Sequence, residues 1–178
     1  MTRFALALLA SIAFASPAAA ALKVGDKAPD FTAQAALAGK NFTFKLADAL
    51  KKGPVVVYFY PKAFTTGCSA EAHAFADSMD KFTALGASVI GVSHDDIATL
   101  DKFSVSACVS KFPVASDSDQ SIMRSYDAVL PKNPEYANRT SYVVAPDGHV
   151  LYAYTDLDFS RHVDNTLAAL ASWKASQH

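Results

Sequence analysis

From Val55 to Tyr60 every side chain is apolar or aromatic, VVVYFY, on even and odd positions alike. A strand with one wet face alternates, so a run with no polar face predicts a strand covered on both sides. Phe75, Met79 and Phe82 then recur at i, i+4 and i+7. That spacing is the stripe of a helix packed on a sheet, and Gly86 is a suitable stop. ASVIGVS follows as a second buried strand, so residues 55–92 read as a β-α-β unit with a right-handed parallel crossover.

Upstream, FTAQAALAGKNFTFKLAD reads as two short extended segments around a turn at Gly39, with Phe42 and Phe44 on one face. Downstream, DDIATLDKFSVSACV predicts a helix with Ile97, Leu100 and Phe103 inward, and FPVAS a short strand. DSDQSIMRSYDAV opens with acidic and Ser residues suited to a helix N-terminus. RTSYVVAPDGHVLYAYTD predicts two strands joined at Pro146-Asp147-Gly148, and RHVDNTLAALASWKAS a closing helix. A parallel β-α-β unit followed by an antiparallel hairpin and a terminal helix is the order of a thioredoxin-like α/β fold. Its central mixed sheet is flanked by helices and carries an N-terminal hairpin.

The first twenty residues, MTRFALALLASIAFASPAAA, do not belong to this pattern. A basic start at Arg3, an apolar stretch from Phe4 to Phe14 and a small-residue end at Ala18-Ala19-Ala20 predict a secretory signal peptide. Pro17 interrupts the apolar stretch too soon for a membrane anchor, which needs about 20 apolar residues. The expected mature chain is one domain, residues 21–178, exported and periplasmic. It carries 15 basic against 17 acidic residues, a net charge of −2, with no charge block of the kind that marks a nucleic-acid surface or a tail. An oxidising compartment permits a disulfide, but two cysteines in a chain of this length are not a scaffold.

Chemistry is the stronger reason to keep them. Cys68 follows the first buried strand across PKAFTTG, and Thr65, Thr66 or Gly67 can cap the helix that begins there. In a first turn, unpaired backbone N–H groups and the helix dipole favour negative charge, and hence the thiolate, which is the nucleophile. The competing reading is a small apolar residue in the core.

Pro61, Thr65 and Cys68 stand as P-x-x-x-T-x-x-C, and this motif resembles the peroxiredoxin active site. The likeness runs from VGDKAPDFTAQ through VIGVSHDD and FPVASD to RTSYVVAPDG, and is nearest to the peroxiredoxin Q, or bacterioferritin-comigratory, subfamily. It implies that Cys68 is the peroxidatic cysteine, with Thr65 hydrogen-bonding thiolate and peroxide and Pro61 shielding the pocket. It also implies Arg139, in ANRTSYVV, as the cation at the thiolate and the peroxide oxygens, so that Thr65, Gly67, Cys68 and Arg139 surround the substrate. Glu71 matches a glutamate that orients this arginine. The resemblance implies no cofactor and no metal, a hydroperoxide substrate, an exported thioredoxin-like reductant, and a monomer.

In many subfamily members the resolving cysteine lies five residues after the first, where this chain has His73. Five residues advance a helix by about 500°, so His73 lies on a different face. On the pattern of a minority of members, Cys108 is expected to resolve Cys68 as an intramolecular disulfide; a buried, inert Cys108 would leave a one-cysteine enzyme. Ala63 and Phe64 are expected to give the pocket an apolar mouth, with a packing contact to another subunit as the equal alternative for Phe64. An exported thiol-disulfide oxidoreductase on the same fold remains the alternative, although C-x-x-C is missing. A copper chaperone using Cys68 with His94, His149 or His162 lacks the paired thiols and spaced histidines it would need.

Overall fold

The computed structural model describes residues 21–177. The expected leader therefore lies outside the described residues. Seven strands form one mixed sheet: β1 (Thr32–Leu37), β2 (Lys40–Lys45), β3 (Val55–Phe59), β4 (Ser88–Ser93), β5 (Val114–Ser116), β6 (Thr140–Val144) and β7 (Val150–Thr155). Their spatial order is β2-β1-β5-β4-β3-β6-β7. The pairs β3/β4 and β4/β5 are parallel, and the remaining pairs are antiparallel. The helices are α1 (Leu46–Leu50), α2 (Thr66–Asp77), α3 (Met79–Ala84), α4 (Ile97–Ser106), α5 (Ser121–Ser125) and α6 (His162–Ala175), with a 3-10 turn at Phe159–Arg161. This is the expected thioredoxin-like arrangement.

Period-2 geometry splits β3 between two cores. Val55, Val57 and Phe59 join a cluster with Leu46, Leu50, Ile122 and Met123, under α1 and α5. Val56 and Tyr58, with Tyr60 beyond them, join the cluster of Phe75, Phe82, Leu100, Phe103 and Leu170, under α2, α3, α4 and α6. Cys68 and Cys108 both belong to this second cluster. The unbroken apolar run in the sequence is thus the signature of a sheet covered on both faces.

The stripe through Phe75, Met79 and Phe82 predicts one helix, and here the structure differs. Ser78 has φ −102° and ψ 1°, and its N–H turns to Phe75 O, which divides the segment into α2 and α3. The stripe survives the break because Phe75 and Phe82 stay buried and stacked, ring centres 5.8 Å apart. Phe44 is buried as expected, whereas Phe42 stays partly exposed on the edge strand. No described helix is long and apolar enough to cross a membrane.

Candidate active site

Two connections position the site. The first leaves β3 at Tyr60, whose N–H is held by Val92 O at 3.2 Å, and passes Pro61 into α2. Its middle is pinned from just beyond β4: the buried Asp95 accepts the Ala63 N–H at 2.7 Å and the Ser93 hydroxyl at 2.8 Å. Ala63 is therefore buried and part of the support, not of an apolar mouth. Phe64, by contrast, is half exposed, takes φ 65°, and sets its ring edge-on to Phe103 at 5.2 Å.

Thr65 caps α2 through its backbone alone. Its hydroxyl donates to Lys62 O at 3.0 Å, so the expected bond from this hydroxyl to the thiol is not made. The first intrahelical bond runs from Ser69 N–H to Thr65 O, at 2.9 Å. The amides of Thr66, Gly67 and Cys68 precede it and have no partner within the helix. Cys68 thus sits, buried, where those amides and the dipole favour an anion.

The second connection brings in Arg139, 5% exposed at the start of β6. Three of its nitrogens have separate tasks. Nε donates to Leu157 O at 2.9 Å, Nη1 to Glu71 Oε2, and Nη2 lies 3.5 Å from Cys68 Sγ. A Cβ at Gly67 would stand 3.3 Å from that Nη2, so the missing side chain leaves room for the guanidinium. Pro61, Thr65, Gly67, Cys68, Glu71 and Arg139, chosen from sequence, lie on these two connections.

Electrostatically the centre holds one cation, one carboxyl and one thiol. Burial pushes the Glu71 carboxyl up to about 8, against the pull of Arg139. Burial works against the Arg139 charge as well, but Glu71 and Cys68 more than offset it and hold the guanidinium above its ordinary value. These two tendencies conflict, since the second needs an ionised Glu71. Burial prevails, because Glu71 Oε1 has no hydrogen-bond partner among the described residues.

Cys108 follows the end of α4 rather than lying in it. It is fully buried, and desolvation pushes its thiol far above the ordinary range. Both cysteines are free thiols. His73 is exposed, and no cluster of three metal-ligating side chains occurs among the described residues. Sequence reasoning missed Asp95 and the Leu157 carbonyl, and it weighed His162 only as a copper ligand, not as a neighbour of Glu71, whose Oε1 lies 3.8 Å from its Nδ1. The one available signal for His162 was spacing: with Thr166 and Leu170 it falls at i, i+4 and i+8, the inner face of α6.

The AhpC/TSA family profile matches residues 24–153. Peroxiredoxin Bcp of Xanthomonas campestris pv. campestris is 33% identical over 121 residues, covering 65% of this chain and 75% of the relative. A chloroplastic 2-cysteine peroxiredoxin of Chattonella marina var. antiqua is 33% identical over 163 residues, covering 88% and 83%. The crystal structure of peroxidoxin BcpB from Mycobacterium tuberculosis superposes with a TM-score of 0.77 at 29% identity, covering 85% of this chain and 97% of that one. A structure of Xanthomonas campestris bacterioferritin comigratory protein, solved in a study of its alkyl peroxide reduction, gives 0.70 at 28% identity, covering 79% and 91%.

Proposed function

The chain belongs to the AhpC/TSA family as a thiol peroxidase of the peroxiredoxin Q/Bcp kind, and from that premise we propose that Cys68 reduces hydroperoxides and Cys108 resolves the product. The observation that carries the first step is Cys68 Sγ in the first turn of α2 with Arg139 Nη2 at 3.5 Å. The thiolate attacks the terminal peroxide oxygen. The S–O bond forms as O–O breaks, the leaving oxygen takes a proton, and Cys68 becomes a sulfenic acid while the peroxide becomes an alcohol or water. Arg139 meets the charge that moves onto the oxygens, and the free amides of the helix end add donors of the same sense. With its hydrogen engaged by Lys62 O, Thr65 Oγ1 is left as an acceptor for the peroxide hydroxyl.

In the second step the Cys108 sulfur attacks the sulfenic sulfur, S–S forms, and hydroxide leaves with the Cys108 proton as water. Both thiols are buried, so the segments that carry them must open first. Strain favours opening at both places: Phe64 precedes Cys68 with φ 65°, and Val109 and Ser110 follow Cys108 with φ 48° and 57°. Non-glycine residues in this left-handed region cost about 1–3 kcal/mol each. Phe103 couples the two segments, since its ring packs on Phe64 and its carbonyl accepts the Cys108 N–H at 3.2 Å. An exported thioredoxin-like dithiol then reduces the disulfide, in keeping with the leader expected at residues 1–20.

The burial of Cys108 supports a second reading, a one-cysteine enzyme. Stopped-flow oxidation by hydrogen peroxide of the native protein, Cys68→Ser and Cys108→Ser, with mass spectrometry of the products, separates the two. The two-cysteine reading expects fast oxidation that needs Cys68, an internal disulfide in the native protein, and a trapped sulfenic or sulfinic acid in Cys108→Ser. A sulfinic product in the native protein would favour the one-cysteine enzyme. A rate no greater than that of an ordinary thiol would overturn the peroxidase chemistry assigned to Cys68.

A further inference from the structure

One buried titratable side chain in the same cluster has no part in the chemistry above. His162 opens α6, is fully buried, and has both ring nitrogens engaged: Nε2 lies 2.9 Å from Asp156 O and Nδ1 lies 2.8 Å from Ser141 Oγ. A carbonyl only accepts, so the neutral ring carries its hydrogen on Nε2, and Nδ1 accepts the serine hydroxyl. Burial, reinforced by the Arg139 charge, holds the ring below the ordinary imidazole range, despite the Asp156 carbonyl, and so favours this neutral form.

The partners of His162 are also the neighbours of Arg139. Asp156 O, which His162 holds, lies one residue before Leu157 O, which accepts from Arg139 Nε at 2.9 Å. The Asp156 N–H returns to Arg139 O at 3.2 Å, closing the link on the start of β6. Ser141, two residues beyond Arg139, ties the other side of the ring to the same strand. Glu71 Oε1, without a partner, faces Nδ1 across 3.8 Å. Nδ1 carries no hydrogen and its one lone pair is taken by the Ser141 hydroxyl, so a neutral His162 does not compete with Arg139 for Glu71.

We propose that His162 is a positioning residue for Arg139: it fixes the 156–158 link whose Leu157 carbonyl holds Nε, and it leaves Glu71 to Nη1, so that Nη2 is aimed at Cys68. The proposal rests on Cys68 as the peroxidatic thiol, a premise that Cys68→Ser tests separately. The groups that face the ring are Glu71 from α2, Arg139 just before β6 and Ser141 within it, Tyr154 from β7 with its ring edge-on at 4.8 Å, and Asp156 and Asp158 from the link.

Two variants of the full chain and two reagents test it. His162→Leu removes both bonds at similar bulk, whereas His162→Gln keeps one donor and one acceptor. Each reduced variant is reacted with hydrogen peroxide, whose transition state needs the aimed guanidinium, and with neutral iodoacetamide, which needs only an accessible thiolate. His162→Leu is expected to lose about tenfold in the peroxide rate, the effect of one misdirected hydrogen bond, with a clearly smaller loss in alkylation, which senses Arg139 only through the thiolate. His162→Gln is expected to recover the peroxide rate to within about threefold of the native protein. A folded His162→Leu with the native peroxide rate would overturn the proposal, as would equal losses with both reagents. Should His162→Leu fail to fold, His162→Gln decides alone: a rate near the native value supports the role, and a loss as large as that of Arg139→Lys overturns it.

Discussion

Arg139→Lys keeps the positive charge and removes the fork that aims it, which makes it a direct test of the site geometry. In the native protein three nitrogens address three acceptors, Leu157 O, Glu71 and Cys68 Sγ, the last at 3.5 Å from Nη2. A single ammonium group cannot reach all three, and burial keeps it with the carboxyl and the carbonyl. At an effective dielectric constant of about 20, a unit charge 3.5 Å from the sulfur is worth about 5 kcal/mol, and at about 5.5 Å about 3 kcal/mol. Displacement of the charge alone therefore costs about 2 kcal/mol. Loss of an aligned donor at a developing oxyanion costs about 2.7–4 kcal/mol when measured whole, so the expected loss is about 2–4 kcal/mol, or roughly 30- to 1000-fold in rate. The Glu71 carboxyl keeps a hydrogen-bond donor, so the fold should persist, and unchanged near-UV circular dichroism is the control. The assay is the second-order rate constant of reduced protein with hydrogen peroxide under pseudo-first-order conditions. A folded Arg139→Lys within about threefold of the native rate would refute the aimed-donor argument, since that difference is below about 0.7 kcal/mol.

Three further outcomes follow from the same cluster. Glu71 holds a proton in the fold that it has lost when unfolded between its ordinary 4.5 and about 8, so its contribution to stability is complete at low pH and is lost as pH rises through about 8. His162 acts in the opposite sense below its ordinary 6.5, and the raised Cys108 thiol acts only near and above its ordinary 9.0, so urea midpoints should be compared between about pH 7 and 8, where they should fall with pH in the native protein and stay level in Glu71→Gln. Gly67→Ala brings a Cβ to 3.3 Å from Arg139 Nη2 while improving helix propensity by about 1 kcal/mol, so the melting temperature should hold or rise as the peroxide rate falls a few-fold; both moving down together would contradict this. The Tyr58 hydroxyl is buried without a hydrogen-bond partner among the described residues, and Tyr58→Phe should leave stability unchanged or raise it by about 1 kcal/mol in urea denaturation.

What the sequence disclosed follows how local each cause is. Cys68 could be read because a buried strand, a proline-punctuated turn and a helix start are all written within a few residues, and the helix end itself supplies the anion-favouring field. Arg139 lies 71 residues away, and only the family likeness selected it from the other cations. Its second acceptor, the Leu157 carbonyl, has no side-chain signature at all, because every residue but its neighbours in space would look the same. The break at Ser78 was hidden for a different reason. The hydrophobic stripe continues across it, and periodicity reports which face is buried, not whether each backbone bond is of the i→i−4 type. His162 carried a positional signal on the inner face of α6, but its chemistry depends on Ser141 and Asp156, which only the folded sheet brings to it.

The arrangement also accounts for an acidic residue placed beside the cation that the thiol requires. An ionised Glu71 would offset the Arg139 charge just where Cys68 needs it, and a buried thiolate, guanidinium and carboxylate together would carry one uncompensated negative charge. With its carboxyl pushed up to about 8, Glu71 is largely neutral near pH 7 and still accepts the Nη1 bond through Oε2. The side chain then orients the guanidinium without neutralising it.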